Sequence, residues 1–188
     1  MVLFLIRHGQ TTANETGTYS GQTDAKLTEL GKAQAKALVP ILEKYTFDKV
    51  YSSDLSRATD TQRIALPHIE GIRTPLIREI DVGSLAGQSI MGTREKYGNL
   101  NNDFTSFGGE NYDMLTARMR KFLDMLESQP CERVAAFAHG GLIRSMLRIV
   151  LGNTIDQQGI ITDNCSIAVF KFNGERWQLH AWNLMGNV

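Results

Sequence analysis

The sequence predicts an α/β fold: a three-layer α/β/α sandwich around a mostly parallel, mixed sheet, with a small irregular or helical insert over one rim. Three observations carry this. Two largely apolar runs of strand length, Val2–Ile6 and Arg133–Ala138, suit strands covered on both faces. Stretches of helical period alternate with strand-like runs. Near the end, two further strand-like runs flank Asn173-Gly174, a strong hairpin signal, so the closing strands should be antiparallel.

The elements follow in order. After Val2–Ile6 comes Arg7-His8-Gly9, then a long polar loop over 10–26, rich in Thr, Gly, Asn and Gln. Thr28 caps a helix that places Leu30, Ala33, Ala37, Leu38, Ile41 and Leu42 at helical spacing to about Tyr45, with Pro40 expected to bend or break it. A strand over 47–51 precedes Ser52-Ser53-Asp54, read as caps for a helix over 55–66. Residues 72–80 read as extended and 81–109 as the insert, which lacks clear periodicity. Helical spacing returns over 110–127, with Met114, Met119 and Met125 expected in the core. A helix over 142–151 follows the strand Arg133–Ala138. Strands over 166–172 and 175–182 close the chain.

Composition bounds the possibilities. At 188 residues, 42% of them hydrophobic and 21% charged, the chain suits one globular domain spanning 1–188. Lys plus Arg and Asp plus Glu both count 20, so no net field draws in nucleic acid or a membrane surface, and any anion site must be local. Neither is expected as a partner. Cys131 and Cys165 lack the spacing of a zinc or redox pair and read as reduced thiols of a cytoplasmic protein. Five apolar residues before Arg7 are too few for a signal peptide, and no run approaches a membrane span.

Ligands of such sheets gather beyond the carboxyl ends of the strands, which puts His8 and His139 on one rim, each after an apolar strand and before a glycine. Arg7 and Arg57 add guanidiniums that match phosphate oxygens, and Glu79 adds a carboxylate able to move a proton. This is a kit for phosphoryl transfer without a metal, where catalysis is mostly positioning and charge stabilisation. Gly9 and Gly140 are expected to let the backbone turn sharply and approach an anion. His68 and His180 match no pattern and read as ordinary structural or surface histidines.

Arg7-His8-Gly9-Gln10-Thr11 with Asn14 resembles the opening signature of the histidine phosphatase superfamily, also called phosphoglycerate mutase-like. The likeness continues through Ser20-Gly21, Leu27-Thr28-x-x-Gly31, Ser52-Ser53-Asp54-Leu55-x-Arg57-Ala58-x-x-Thr61, Leu76-x-x-Glu79, Gly109-Glu110 and Ala138-His139-Gly140-Gly141. The resemblance implies that His8 is a nucleophile forming phosphohistidine, with Arg7, Arg57 and His139 clamping the phosphoryl oxygens. It adds Asn14, Gly21 and the N–H of Gly140 to the phosphate-binding set. Glu79 would protonate the leaving alkoxide and then activate water. No metal and no cofactor are expected.

Two departures stand out. Where phosphatases of the family often carry Gly-x-Trp-Glu-Gly, this chain has Gly83-Ser84-Leu85-Ala86-Gly87, which puts the substrate pocket in doubt; and Asn111 replaces the serine of Gly-Glu-Ser, leaving the role of Glu110 open. Hydrolysis is favoured over cofactor-dependent phosphoglycerate mutase chemistry, because the 29 residues between Glu79 and Gly109 bring only Arg94 and Lys96 as cations. A non-catalytic phospho-ligand binding module is the reading of another class. The expected partner is a small phosphate ester of unspecified identity, with the insert as its lid. The oligomeric state is open, a homodimer included.

Overall fold

The structure, a computed structural model, describes residues 1–152 and 159–185. Its elements are β1 (Val2–Arg7), α1 (Thr12–Thr16), α2 (Glu29–Ala37), α3 (Val39–Leu42), β2 (Lys49–Ser53), α4 (Ser56–Ala65), β3 (Ile72–Thr74), α5 (Ile90–Tyr97), α6 (Tyr112–Glu127), β4 (Arg133–Ala138), α7 (Gly140–Leu151), β5 (Ile167–Phe172) and β6 (Trp177–Leu184). Six strands form one sheet in the order β3-β2-β4-β1-β5-β6. The first four are parallel; β5 and β6 run antiparallel, as the closing hairpin predicts.

The side-chain alternation of the central strands builds the three layers. Leu3 and Leu5 of β1, Val134 and Ala136 of β4, and Ala168 and Phe170 of β5 pack with the apolar faces of α6 and α7. Phe4 and Ile6, Ala135 and Phe137, Ile167 and Val169 point the other way, onto α2, α3 and α4. Both faces being covered explains why β1 and β4 are continuous apolar runs. Phe122, Phe137 and Phe170 are fully buried, each contributing roughly 1.5–3 kcal/mol relative to exposure.

Several local expectations are corrected. The polar loop after Gly9 contains α1, closed by a capping box in which Thr11 and Asn14 satisfy each other's backbone N–H groups. Pro40 does break its helix, at Leu38, and then serves in the first turn of α3, where its missing N–H costs nothing. Ser52 and Ser53 belong to β2, and α4 starts at Ser56, whose N–H is capped by Asp24 Oδ1 at 2.8 Å rather than by a local serine. Only Ile72–Thr74 of the expected extended stretch is strand; Pro75–Ile77 is a 3-10 turn. The hairpin loop holds four residues instead of two, because Asn173 Oδ1 accepts from the N–H groups of Glu175 and Arg176. Met119 is buried and Met125 partly so, but Met114 is half exposed. The insert is mixed: 3-10 turns at Gly83–Leu85 and Thr105–Phe107 flank α5, and Leu85 is buried in the core. Cys131 and Cys165 are unpaired thiols. Among the described residues, no helix is long and apolar enough to cross a membrane.

Candidate active site

The register of β1 against β4 brings the two histidines together. Arg7 is paired with Ala138, and the N–H of His8 continues the ladder to Ala138 C=O at 3.1 Å, so His8 and His139 leave the sheet side by side. Their ring centroids are 5.2 Å apart at 60°. The His8 carbonyl accepts from the Cys165 N–H (3.2 Å) and Asn164 Nδ2 (3.0 Å), fixing the backbone behind the ring. His139 is the extended residue that opens α7. Between these strands the chain switches from helices on one face to helices on the other, where a crevice forms at the strand ends.

Hydrogen bonds assign both tautomers. His8 Nδ1 lies 2.7 Å from Gly9 C=O, a group that can only accept, so Nδ1 carries the proton and Nε2 keeps its lone pair. His139 is the reverse: Arg57 Nε–H donates to its Nδ1 at 3.2 Å, which leaves the proton on Nε2. Burial, then the charges of Arg57 and Arg7, hold the His8 imidazole well below its usual 6.5. His139 is depressed likewise, by burial first and then by Arg57, His8 and Arg7. Both rings are therefore neutral near pH 7, one an available nucleophile and one a donor.

Two guanidiniums are set by the backbone around them. Arg57, 1% exposed, spends Nη1 on Thr23 C=O (2.8 Å) and Nη2 on Gly21 C=O (2.7 Å) besides Nε on His139, leaving two N–H groups for a ligand. Arg7 donates through Nη1 to Thr162 C=O. Two buried donors here, Arg7 Nε and His139 Nε2, have no partner among the described residues. Leaving such donors unmet costs about 1–3 kcal/mol each, a cost that a phosphoryl oxygen would offset.

Glu79 faces this pair from a segment with no ladder of its own. Gly141 N–H donates to its Oε2 at 3.0 Å and Ile80 N–H to its Oε1 at 2.9 Å. Gly141 is required by space: a Cβ there would sit 2.3 Å from Glu79 Oε1. The Tyr112 hydroxyl donates to Gly141 C=O at 3.0 Å, and burial pushes its own ionisation up to about 12. A cavity of about 200 Å³ joins Arg7, His8, Arg57, Glu79, Tyr112 and Arg144. Three guanidiniums against one carboxylate give it a local excess of positive charge on a chain with no net charge. A larger open groove, about 700 Å³, runs by Lys26, Lys32 and Arg63, but holds no histidine.

The remaining expected residues are distributed as follows. Asn14 and Gly21 line the cavity. The Asn14 Oδ1 atom accepts from Thr11 and Asn164, and Gly21 offers its carbonyl to Arg57. Gly140 begins α7, where a Cβ would only touch Arg7 Nε and Arg144 Nη1 at 3.4 Å. The expected reason for Gly9 is corrected: neither Gly9 nor Gly140 has positive φ, and a Cβ on Gly9 would strike Gly31 C=O of α2 at 2.4 Å. Its close approach is to a helix, not to an anion. His139 is buried beside His8 and Arg57 and does not itself line the cavity. Sequence reasoning passed over Arg144, although it lies four residues after Gly140 and hence on the same helical face. It also passed over Tyr112, Asn164 and Arg118, whose partners are distant in sequence.

Imidazoles, guanidiniums and a carboxylate gathered at the carboxyl rim of a doubly covered sheet define the class: an α/β enzyme handling a phosphoryl group. Residues 3–185 match the profile of the histidine phosphatase superfamily (branch 1), and the chain belongs to that family, as a phosphoric monoester hydrolase. A metal-independent phosphoserine phosphatase of Arabidopsis thaliana is 32% identical, covering 96% of this chain and 80% of that protein. A 2,3-bisphosphoglycerate-dependent phosphoglycerate mutase of Parvibaculum lavamentivorans is 33% identical over 78% of each. A mycobacterial glucosyl-3-phosphoglycerate phosphatase, solved with VO3, superposes with a TM-score of 0.86 at 27% identity, covering 97% of this chain and 98% of that one.

Proposed function

We propose that this enzyme hydrolyses a small phosphorylated metabolite, without a metal, through a phosphohistidine on His8. The observation that carries the reading is the His8 tautomer: with Nδ1–H committed to Gly9 C=O, the Nε2 lone pair is free to attack phosphorus. As the P–N bond forms and the P–O bond breaks, Glu79 gives its proton to the departing oxygen. Glu79, now a carboxylate, then takes a proton from the water that displaces His8 from phosphorus. Arg7 Nε, His139 Nε2–H and the two uncommitted N–H groups of Arg57 hold the phosphoryl oxygens throughout, donors fixed before the reaction begins. Asn14, Gly21 and Gly140 complete the phosphate pocket.

The metal-independent route assigns His8 and His139 to phosphate: the Nδ1 lone pair of His139 is already taken by Arg57 Nε–H, and its Nε2–H is left as a donor. The cavity, about 200 Å³, has room for a small phosphate ester. Residues 81–109 act as its lid, since Val82, Ile90, Asn102 and Phe104 all line the cavity. The free cysteines fit a reducing, cytoplasmic setting. The mutase likeness keeps a second reading open, but neither Arg94 nor Lys96 lines the cavity, which favours water as the acceptor.

The test is p-nitrophenyl phosphate turnover in excess chelator, parent against His8→Ala and Glu79→Gln, with phosphoglycerate interconversion assayed in parallel. Chelator-resistant turnover lost in His8→Ala is expected. Parent-level turnover in His8→Ala, a metal requirement, or interconversion outpacing hydrolysis would overturn the reading.

A further inference from the structure

We propose that Arg118 and Glu110 are positioning residues that hold Glu79 in register with His8; the inference rests on the acid–base reading of Glu79. Residues 78–81 belong to no strand or helix, so their backbone groups need partners from elsewhere. Arg118, on the second turn of α6, supplies them. Its Nη1 donates to the carbonyls of Leu76 (3.2 Å) and Arg78 (2.7 Å), and its Nη2 to the carbonyl of Glu79 (3.0 Å). Its remaining N–H groups go to Glu110: Nε to Oε1 at 3.2 Å and Nη2 to Oε2 at 2.8 Å. All five donors are spent, three of them on the segment that carries Glu79.

Glu110 works from the other side. Its Oε2 accepts from the Asp81 N–H at 2.9 Å, while its own N–H donates to Asp81 C=O at 2.8 Å. The two ends of the insert are thereby tied together just beyond Glu79. Side-chain exposures of 16% and 17% shield the pair from exchange with water. Neither residue lines the cavity, and unlike His139 Nε2 no N–H of Arg118 is left over for a substrate. The geometry ties the base of the insert, and with it the segment that carries the Glu79 carboxylate, to α6. A carboxylate that moves a proton must be held within fractions of an ångström, because a misplacement of ~1 Å costs on the order of 10²-fold.

Arg118→Lys and Glu110→Gln test this, with Glu79→Gln as reference. Lysine keeps the charge but has three donors on a point-like head, too few to span these acceptors. Glutamine keeps shape and one acceptor, so it retains the fold should Arg118→Lys lose it. Each enzyme is assayed with p-nitrophenyl phosphate, whose leaving group needs no proton, and with an alkyl phosphate, whose leaving group does. The expected result is a retained p-nitrophenolate burst, accumulation of phosphoenzyme, and an alkyl-ester kcat that falls about tenfold or more beyond the burst rate, with little change in KM. A p-nitrophenolate burst rate that falls as far as the alkyl-ester kcat, or losses that track the unfolded fraction in a thermal melt, would overturn the positioning role. If Glu79→Gln itself shows no leaving-group discrimination, the acid–base reading fails first, and that outcome is distinct from a failure of Arg118 alone.

Discussion

Gly141→Ala adds one methyl group beside the proposed acid–base carboxylate. The new Cβ would lie 2.3 Å from Glu79 Oε1 and 3.1 Å from its Cδ, where ordinary contact starts near 3.4 Å. The carboxylate must withdraw by about 1 Å, yet the Gly141 N–H that binds its Oε2 at 3.0 Å pulls it back toward the same residue. Glu79 is half-buried at the edge of the cavity, so it can yield by turning away from His8. A shift of that size costs on the order of 10²-fold in rate. Stability should move the other way: Gly141 is helical without positive φ, and alanine is better by roughly 0.5–1 kcal/mol in such a position. The assay is kcat on an alkyl phosphate beside a thermal melt. An alkyl-ester kcat within about twofold of the parent, at a Tm no lower than the parent's, would refute the claim that this glycine makes room for a working Glu79.

Arg57→Lys removes the donor that fixes the His139 tautomer and breaks up the pair of bonds to Thr23 and Gly21, so kcat should fall by about 10²–10³ in steady-state assays. Because His8 and His139 are held neutral, an unfolded chain takes up protons below about pH 6.5 that the folded one refuses, and stability must fall as pH drops through that value. Thermal melts from pH 7 to 5 should therefore slope less in a His8→Gln/His139→Gln double variant than in the parent; equal slopes would count against neutral histidines. Orthovanadate, a mimic of the five-coordinate transition state, should inhibit competitively at or below millimolar levels, measured by its effect on KM for p-nitrophenyl phosphate.

The parts legible in the sequence are those written in local pattern. β4 was readable residue by residue because a strand buried on both faces is a continuous apolar run, and the pairing of His8 with His139 follows once two such strands are adjacent and parallel. What escaped depends on partners far along the chain. The α4 cap comes from Asp24, which no inspection of Ser52-Ser53-Asp54 reveals. Arg118 looks like any helix-surface cation until the carbonyls of Leu76, Arg78 and Glu79 are brought beneath it. Glu110, left open by the sequence, lies just before the residue that caps α6 and pairs with Arg118. Asn111 takes the capping role itself, its Oδ1 accepting from Met114 N–H at 2.9 Å, so replacing serine there preserves the helix start.

The most direct test of the account is to capture the phosphoenzyme. The Glu79→Gln enzyme, mixed with p-nitrophenyl phosphate, denatured in alkali and digested, should yield a phosphopeptide on His8 that is stable to base, labile to acid and absent from His8→Ala. A phosphoryl group on any other residue, or turnover by the parent through no phosphoenzyme at all, would contradict it.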